Sequence, residues 1–242
     1  MIDIIFITGA SSDIGVSLIK SFDDPCIIIA HYNENIQKLL DVQEFTKNKI
    51  IPIKANFSIQ SNVLEMLDKI EAEFGVPNKI IHLAAPKFEH IRFNRSNWER
   101  FQNELNLSLG SIIQILNRFL PKMGNGNAGR IVTILSSVTI GVPPKSLSQY
   151  TTVKYALLGL MKSLAVEYAN KNVTINCISP SMIETQFLSK IDERIIQLTA
   201  KSHPLKRNAT VLDILPVIHL LLSENSNYIC GANIPITGGI TY

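Results

Sequence analysis

Short apolar runs recur along the chain, separated by longer stretches with helical spacing. The runs cover residues 4–8, 26–30, 50–54, 79–83, 130–135, 173–178 and 233–236. Each is rich in Ile or Val and apolar on both faces, the pattern of a parallel strand covered by helices on each side. Between them, Val63, Leu64, Met66, Leu67, Ile70 and Phe74 form an apolar stripe at helical spacing. Ile112, Ile113, Ile115, Leu116, Phe119 and Leu120 form a second, stopped by Pro121, and residues 153–169 read as a third helix. Strand–helix alternation throughout predicts an α/β fold: a Rossmann-like doubly wound sheet of about seven mainly parallel strands. Right-handed crossovers then put helices on both faces. No repeat, low-complexity tract or linker divides the chain, so residues 1–242 read as a single domain. The stretch 124–129, Gly-Asn-Gly-Asn-Ala-Gly, reads as a surface loop before the fifth strand.

Composition narrows the partners. At 242 residues the chain is long enough for one well-buried core, and 46% hydrophobic with 18% charged residues is ordinary globular usage. The net charge of +3 is small and scattered, which argues against nucleic acid or an anionic membrane as the main partner. Cys26, Cys177 and Cys230 are odd in number and lack metal-ligand spacing, so they read as buried reduced thiols, and no metal site is expected. Met1 leads directly into a strand-like run, without a signal-peptide pattern, and no apolar run is long enough to span a membrane. The expectation is a cytoplasmic protein.

Two segments carry chemistry. The first strand ends in Thr8-Gly9-Ala10-Ser11-Ser12-Asp13-Ile14-Gly15, followed by helical spacing at Ile14, Leu18, Ile19 and Phe22. A glycine turn there aims backbone N–H groups and a helix N-terminus at one point, which suits a pyrophosphate. The second segment is Tyr150-Thr151-Thr152-Val153-Lys154, with Ser137 thirteen residues upstream at the end of the fifth strand. Tyr and Lys four apart share one face of a helix. A free tyrosine has a pKa of about 10, and a neighbouring ammonium favours the phenolate. The pair can therefore pass a proton to or from a substrate oxygen while Ser137 donates a hydrogen bond to it.

On these residues the chain resembles the short-chain dehydrogenase/reductase family, and the segment His31-Tyr32-Asn33 resembles its NADPH-dependent 3-oxoacyl-(acyl carrier protein) reductases. The resemblance covers nearly the whole chain. It implies an NAD(P)(H)-dependent oxidoreductase that moves a hydride between nicotinamide and a small ketone or alcohol. Ser137, Tyr150 and Lys154 match the family triad. A fourth catalytic position, Asn in the family, falls on Ser108 when counted back from Pro121, and its role there is to steady the lysine through water. Gly9, Ser11, Ser12, Asp13, Ile14 and Gly15 match the phosphate turn, with Asp13 in place of the middle glycine. That departure implies weaker cofactor binding, unless the carboxylate turns aside toward the helix N-terminus.

Around the rest of the cofactor the resemblance implies His31 at the ribose, Asn56 and Phe57 at the adenine, and Ala84 and Ala85 along a ribose. Pro180, Ile183 and Thr185 stand near the carboxamide, and Tyr150 and Lys154 touch the nicotinamide side. The family's N-N-A-G becomes His82-Leu83-Ala84-Ala85, where His82 reads as a buried structural residue. No acidic residue stands at the tip of the second strand, which favours NADP(H) over NAD(H). Residues 185–208 correspond to a substrate lid, and the family implies a homodimer or homotetramer. Lys87, His90, Arg92 and Arg95 read as a solvated basic loop. Two other readings compete: a catalytically weak NAD(P)-binding regulatory protein, and a sugar epimerase or dehydratase, which would need a longer C-terminal domain.

Overall fold

The computed structural model describes residues 2–125 and 128–240. Seven strands occur among them: β1 Asp3–Thr8, β2 Cys26–Tyr32, β3 Lys49–Lys54, β4 Lys79–His82, β5 Gly129–Ile134, β6 Val173–Pro180 and β7 Asn233–Ile236. The helices are α1 Asp13–Lys20, α2 Gln37–Gln43, α3 Gln60–Phe74, α4 Trp98–Leu105, α5 Ser111–Phe119, α6 Ser148–Glu167, α7 Glu193–Ser202 and α8 Leu215–Leu222. The strands form one sheet in the order β3-β2-β1-β4-β5-β6-β7. Every neighbouring pair is parallel. The connections reverse direction between β1 and β4, which opens a crevice outside the carboxyl ends of the strands.

Alternation along each strand explains the two cores. Ile5 and Ile7 face one layer, with Leu18 and Ile19 of α1, Leu39 of α2 and Ile218 of α8. Phe6 faces the other, with Leu67 of α3, Phe119 of α5 and Leu157 of α6. A strand apolar on both faces is stable only when both are covered, as here. A smaller cluster of Phe88, Val138, Leu147 and Leu188 sits apart from both, against Tyr150 and Phe187.

Several expectations change in detail. The sheet is wholly parallel. Helix α6 begins at Ser148, earlier than its apolar spacing suggests, because its first turn carries polar residues. Helices α4 and α5 run on as one, through a single π turn over Asn106–Gly110 in which the Ser111 N–H donates to the Asn106 carbonyl. Cys26 and Cys177 are buried, but Cys230 is exposed, against the expectation for all three. Gly126 and Asn127 of the expected loop lie outside the described residues. Among the described residues no helix is long and apolar enough to cross a membrane.

Gly15 packs the start of α1 against the turn before it, and a Cβ there would sit 2.4 Å from the Ala10 carbonyl oxygen. Gly15→Ala should therefore cost about 1–3 kcal/mol. Urea unfolding would show it, and an unchanged midpoint would mean that the turn relaxes freely.

Candidate active site

The site begins at the end of β1. Gly9 takes φ +66°, a left-handed conformation, and a Cβ on it would lie 3.1 Å from the Ala84 backbone. Glycine satisfies both demands at once. Ser12 then caps α1, its hydroxyl accepting from the Gly15 N–H at 3.2 Å.

Two buried histidines hold this turn. The Gly9 N–H donates to His31 Nδ1 at 3.0 Å, and His31 Nε2–H donates to the Ala55 carbonyl, also at 3.0 Å. His31 is also stacked on Phe57, with ring centroids 3.7 Å apart. His82 repeats the arrangement. Thr8 Oγ1 accepts from the Leu83 and Ala84 N–H groups, so its own proton goes to His82 Nδ1 at 2.9 Å. His82 Nε2–H donates to the Ser108 carbonyl at 2.9 Å. A carbonyl only accepts, so both rings are neutral and share one tautomer. Burial lowers the pKa of His31 to about 4 and of His82 to about 3. His31 stands in β2 and lines the cleft with both of its ring nitrogens engaged within the protein.

At the far end of the cleft Tyr150 and Lys154 lie one turn apart on α6. Lys154 is buried, and its ammonium donates to the Ile134 carbonyl at 2.9 Å and lies 5.6 Å from the Tyr150 ring centroid. Burial lowers its pKa to about 8, against upward pulls from Glu104 and Cys177. Burial also raises the Tyr150 phenol to about 12, although a hydrogen bond with Ser136 lowers it and Glu104 adds to the rise. Ser136 and Ser137 both line the cleft together with Tyr150. Ser136 caps the turn Ser137–Thr139, and Ser137 is its buried neighbour on the same wall.

Asp13, the first residue of α1, does not turn back onto its own helix. Its carboxylate accepts from the Gln186 N–H at 2.7 Å and from Lys38 at 2.8 Å. Burial would raise its pKa, but Lys38 and the Gln186 N–H outweigh that and hold it below the usual carboxylate range. Neither partner was visible in sequence, since each lies on a different element.

One cleft of about 1320 Å³ joins these parts. Gly9, Ser11, Ser12, Asp13, Ile14, His31, Asn56, Phe57, Ala84, Ala85, Ser137, Tyr150, Lys154, Pro180, Ile183 and Thr185 all line it, together with Ser136. Gly15 and Ser108 do not. Ser108 is buried at the centre of the π turn, with its carbonyl taken by His82. Of the segment expected as a lid, Gln186–Leu188 forms one turn and α7 follows. Phe88 closes over Tyr150 edge-on, with centroids 4.8 Å apart. Among the described residues no cluster of His, Cys, Asp or Glu could hold a metal.

A family model described as "Enoyl-(Acyl carrier protein) reductase" matches residues 14–241. The chain belongs to the short-chain dehydrogenase/reductase family. It is 29% identical to Nodulation protein G of Azospirillum brasilense over 246 residues, covering 99% of this chain and 98% of that one. It is 26% identical to a 3-oxoacyl-(acyl-carrier-protein) reductase, FabG, of Thermotoga maritima, covering 97% and 96%. Among solved structures, a 3-oxoacyl-(acyl-carrier-protein) reductase of Agrobacterium tumefaciens with NADP bound shares the fold. Its TM-score is 0.87 at 20% identity, covering 98% of this chain and 94% of that one. As a member of this family the protein is an NAD(P)-dependent oxidoreductase acting on carbonyl or hydroxyl groups.

The two neutral histidines give this short-chain dehydrogenase/reductase a distinct pH response. Unfolded histidines take up protons below about pH 6.5, whereas the folded ones do so only near 4 and 3. Stability therefore falls as pH drops below about 6.5, by up to about 1.4 kcal/mol per pH unit for each histidine. Urea unfolding between pH 7 and 5 should follow that slope, and a His31→Asn/His82→Asn double variant should flatten it. An unaltered slope would mean that the rings are not held neutral.

Proposed function

We propose that this protein reduces ketone carbonyls to alcohols with NADP(H), Tyr150 giving the proton to the carbonyl oxygen. The observation that carries the reading is the wall of the cleft, which Ser137, Tyr150 and the buried Lys154 line together, with the Lys154 ammonium 5.6 Å from the Tyr150 ring centroid. A bound nicotinamide supplies the hydride. The residues present fit that cofactor. The cleft exceeds the roughly 300–1,000 Å³ usual for small-molecule sites, so it has room for a dinucleotide and a substrate together. Lys154 uses one of its three donors on Ile134, which leaves the others for ribose hydroxyls.

The proton logic suits reduction. A phenol whose pKa is raised to about 12 stays protonated at neutral pH and is ready to donate. Ser137 donates to the carbonyl oxygen as negative charge grows on it. Substrate selection falls to the apolar cluster beside Tyr150, where Phe88 and Phe187 stack with centroids 5.8 Å apart. The substrate class is a small molecule carrying a carbonyl with an apolar flank. NADP(H) is favoured over NAD(H) because β2 ends in His31-Tyr32 without an acidic residue.

Tyr150→Phe should lower kcat by about 10²–10⁴-fold while NADPH binding, followed by nicotinamide fluorescence, stays intact. Ser137→Ala should cost about 10²-fold or more, and Ser136→Ala far less. A larger loss for Ser136→Ala would move the donor role to Ser136. No binding of NADPH or NADH up to millimolar concentration would overturn the reading.

The same reading includes a homodimer or homotetramer. Trp98, Ile113, Tyr155 and Val166 stand exposed on α4, α5 and α6, where a second copy would cover them. Light scattering should give a dimer or tetramer mass, and a monomer at all concentrations would refute assembly.

A further inference from the structure

The strap between β6 and α7 is held to the body by two carboxylates. Glu89, on the loop after β4, pairs with Lys190. Asp13 holds the other end, accepting from the Gln186 N–H at 2.7 Å through one oxygen and from Lys38 at 2.8 Å through the other. One side chain thus ties together α1, the start of α2 and the strap, three elements that meet at the mouth of the cleft. Asp13, Lys38 and Gln186 all line that cleft. The neighbouring turn donors are committed internally, Gly9 N–H to His31 and Gly15 N–H to Ser12.

The partners that Asp13 holds have a common chemistry. A main-chain N–H and an ammonium converging on one oxygen pair are what a phosphate oxyanion binds. They lie beside a glycine turn and a helix N-terminus, which already favour an anion. The Asp13 and Lys38 side chains are 31% and 37% exposed, so an incoming ligand can reach them without unpacking the core.

We propose that Asp13 is an internal stand-in for the cofactor's phosphate, and that Lys38 and the Gln186 N–H pass from the carboxylate to the phosphate when the dinucleotide binds. The inference rests on the NADP(H) reading above and extends it. The carboxylate clips the strap to the turn. On binding, Asp13 loses both partners and faces a second anion, so affinity is lower than the cleft would otherwise allow. Asp13 therefore sets cofactor affinity, and Lys38 contributes little net binding while it has to be taken from a carboxylate.

Two measurements on the full chain separate the clip from the exchange. Hydrogen exchange of the peptide spanning residues 183–189, without cofactor, should be several-fold faster in Asp13→Asn and Asp13→Gly than in the wild type. Equal exchange would overturn the clip. Nicotinamide fluorescence should show NADPH binding about tenfold tighter in Asp13→Asn, the scale of one unit charge near a phosphate at the protein surface. Lys38→Met should then weaken binding more in the Asp13→Asn background than in the wild type. Binding that is equal or weaker in Asp13→Asn overturns the exchange and leaves the reductase reading standing. If no variant binds NADPH or NADH, the reductase reading fails and the exchange with it.

Discussion

The geometry of the cleft depends on how the end of β1 is held. Thr8 and Gly9 mark the point where the chain leaves the sheet and must turn within one residue toward α1. A neutral histidine from each neighbouring strand pins that point, His31 from β2 and His82 from β4. Each ring spans a gap between a donor on β1 and a carbonyl beyond, Ala55 in one case and Ser108 in the other. Burial keeps the rings uncharged, and an uncharged ring can accept and donate along the same line. Loss of either strut would leave a buried donor or acceptor without a partner, at a cost of about 1–3 kcal/mol.

The His82 strut reaches the other end of the site. The Ser108 carbonyl sits at the centre of a π turn, the kind of irregularity that collects at functional positions in helices. The hydrogen bond from His82 links the phosphate turn to the long helix pair and thereby to α6, which carries Tyr150 and Lys154. Burial again decides the chemistry there. It pushes the phenol up and the ammonium down, while Glu104 raises both.

The departures from the family pattern are solved locally in different ways. His82, where the family pattern has asparagine, braces the turn through Thr8 and the Ser108 carbonyl. Ser108 keeps a main-chain carbonyl at the helix irregularity but commits it to His82. Asp13 introduces a charge beside a phosphate turn, and that charge is neutralised by Lys38 and by a backbone donor on the strap. The charge is thus met by partners within the protein.

The sequence by itself determined the architecture, because apolar runs covered on both faces and helical stripes between them permit few arrangements. It also determined the Tyr150–Lys154 pair, since residues four apart in a helix share a face whatever surrounds them. Local spacing could not reveal that α4 and α5 join through a π turn. Nor could it show that His31 and His82 face inward as matched struts, that Phe88 roofs Tyr150, or that Asp13 meets Gln186. Each of those contacts joins residues far apart in the chain, and only the packing of separate elements brings their atoms within bonding distance.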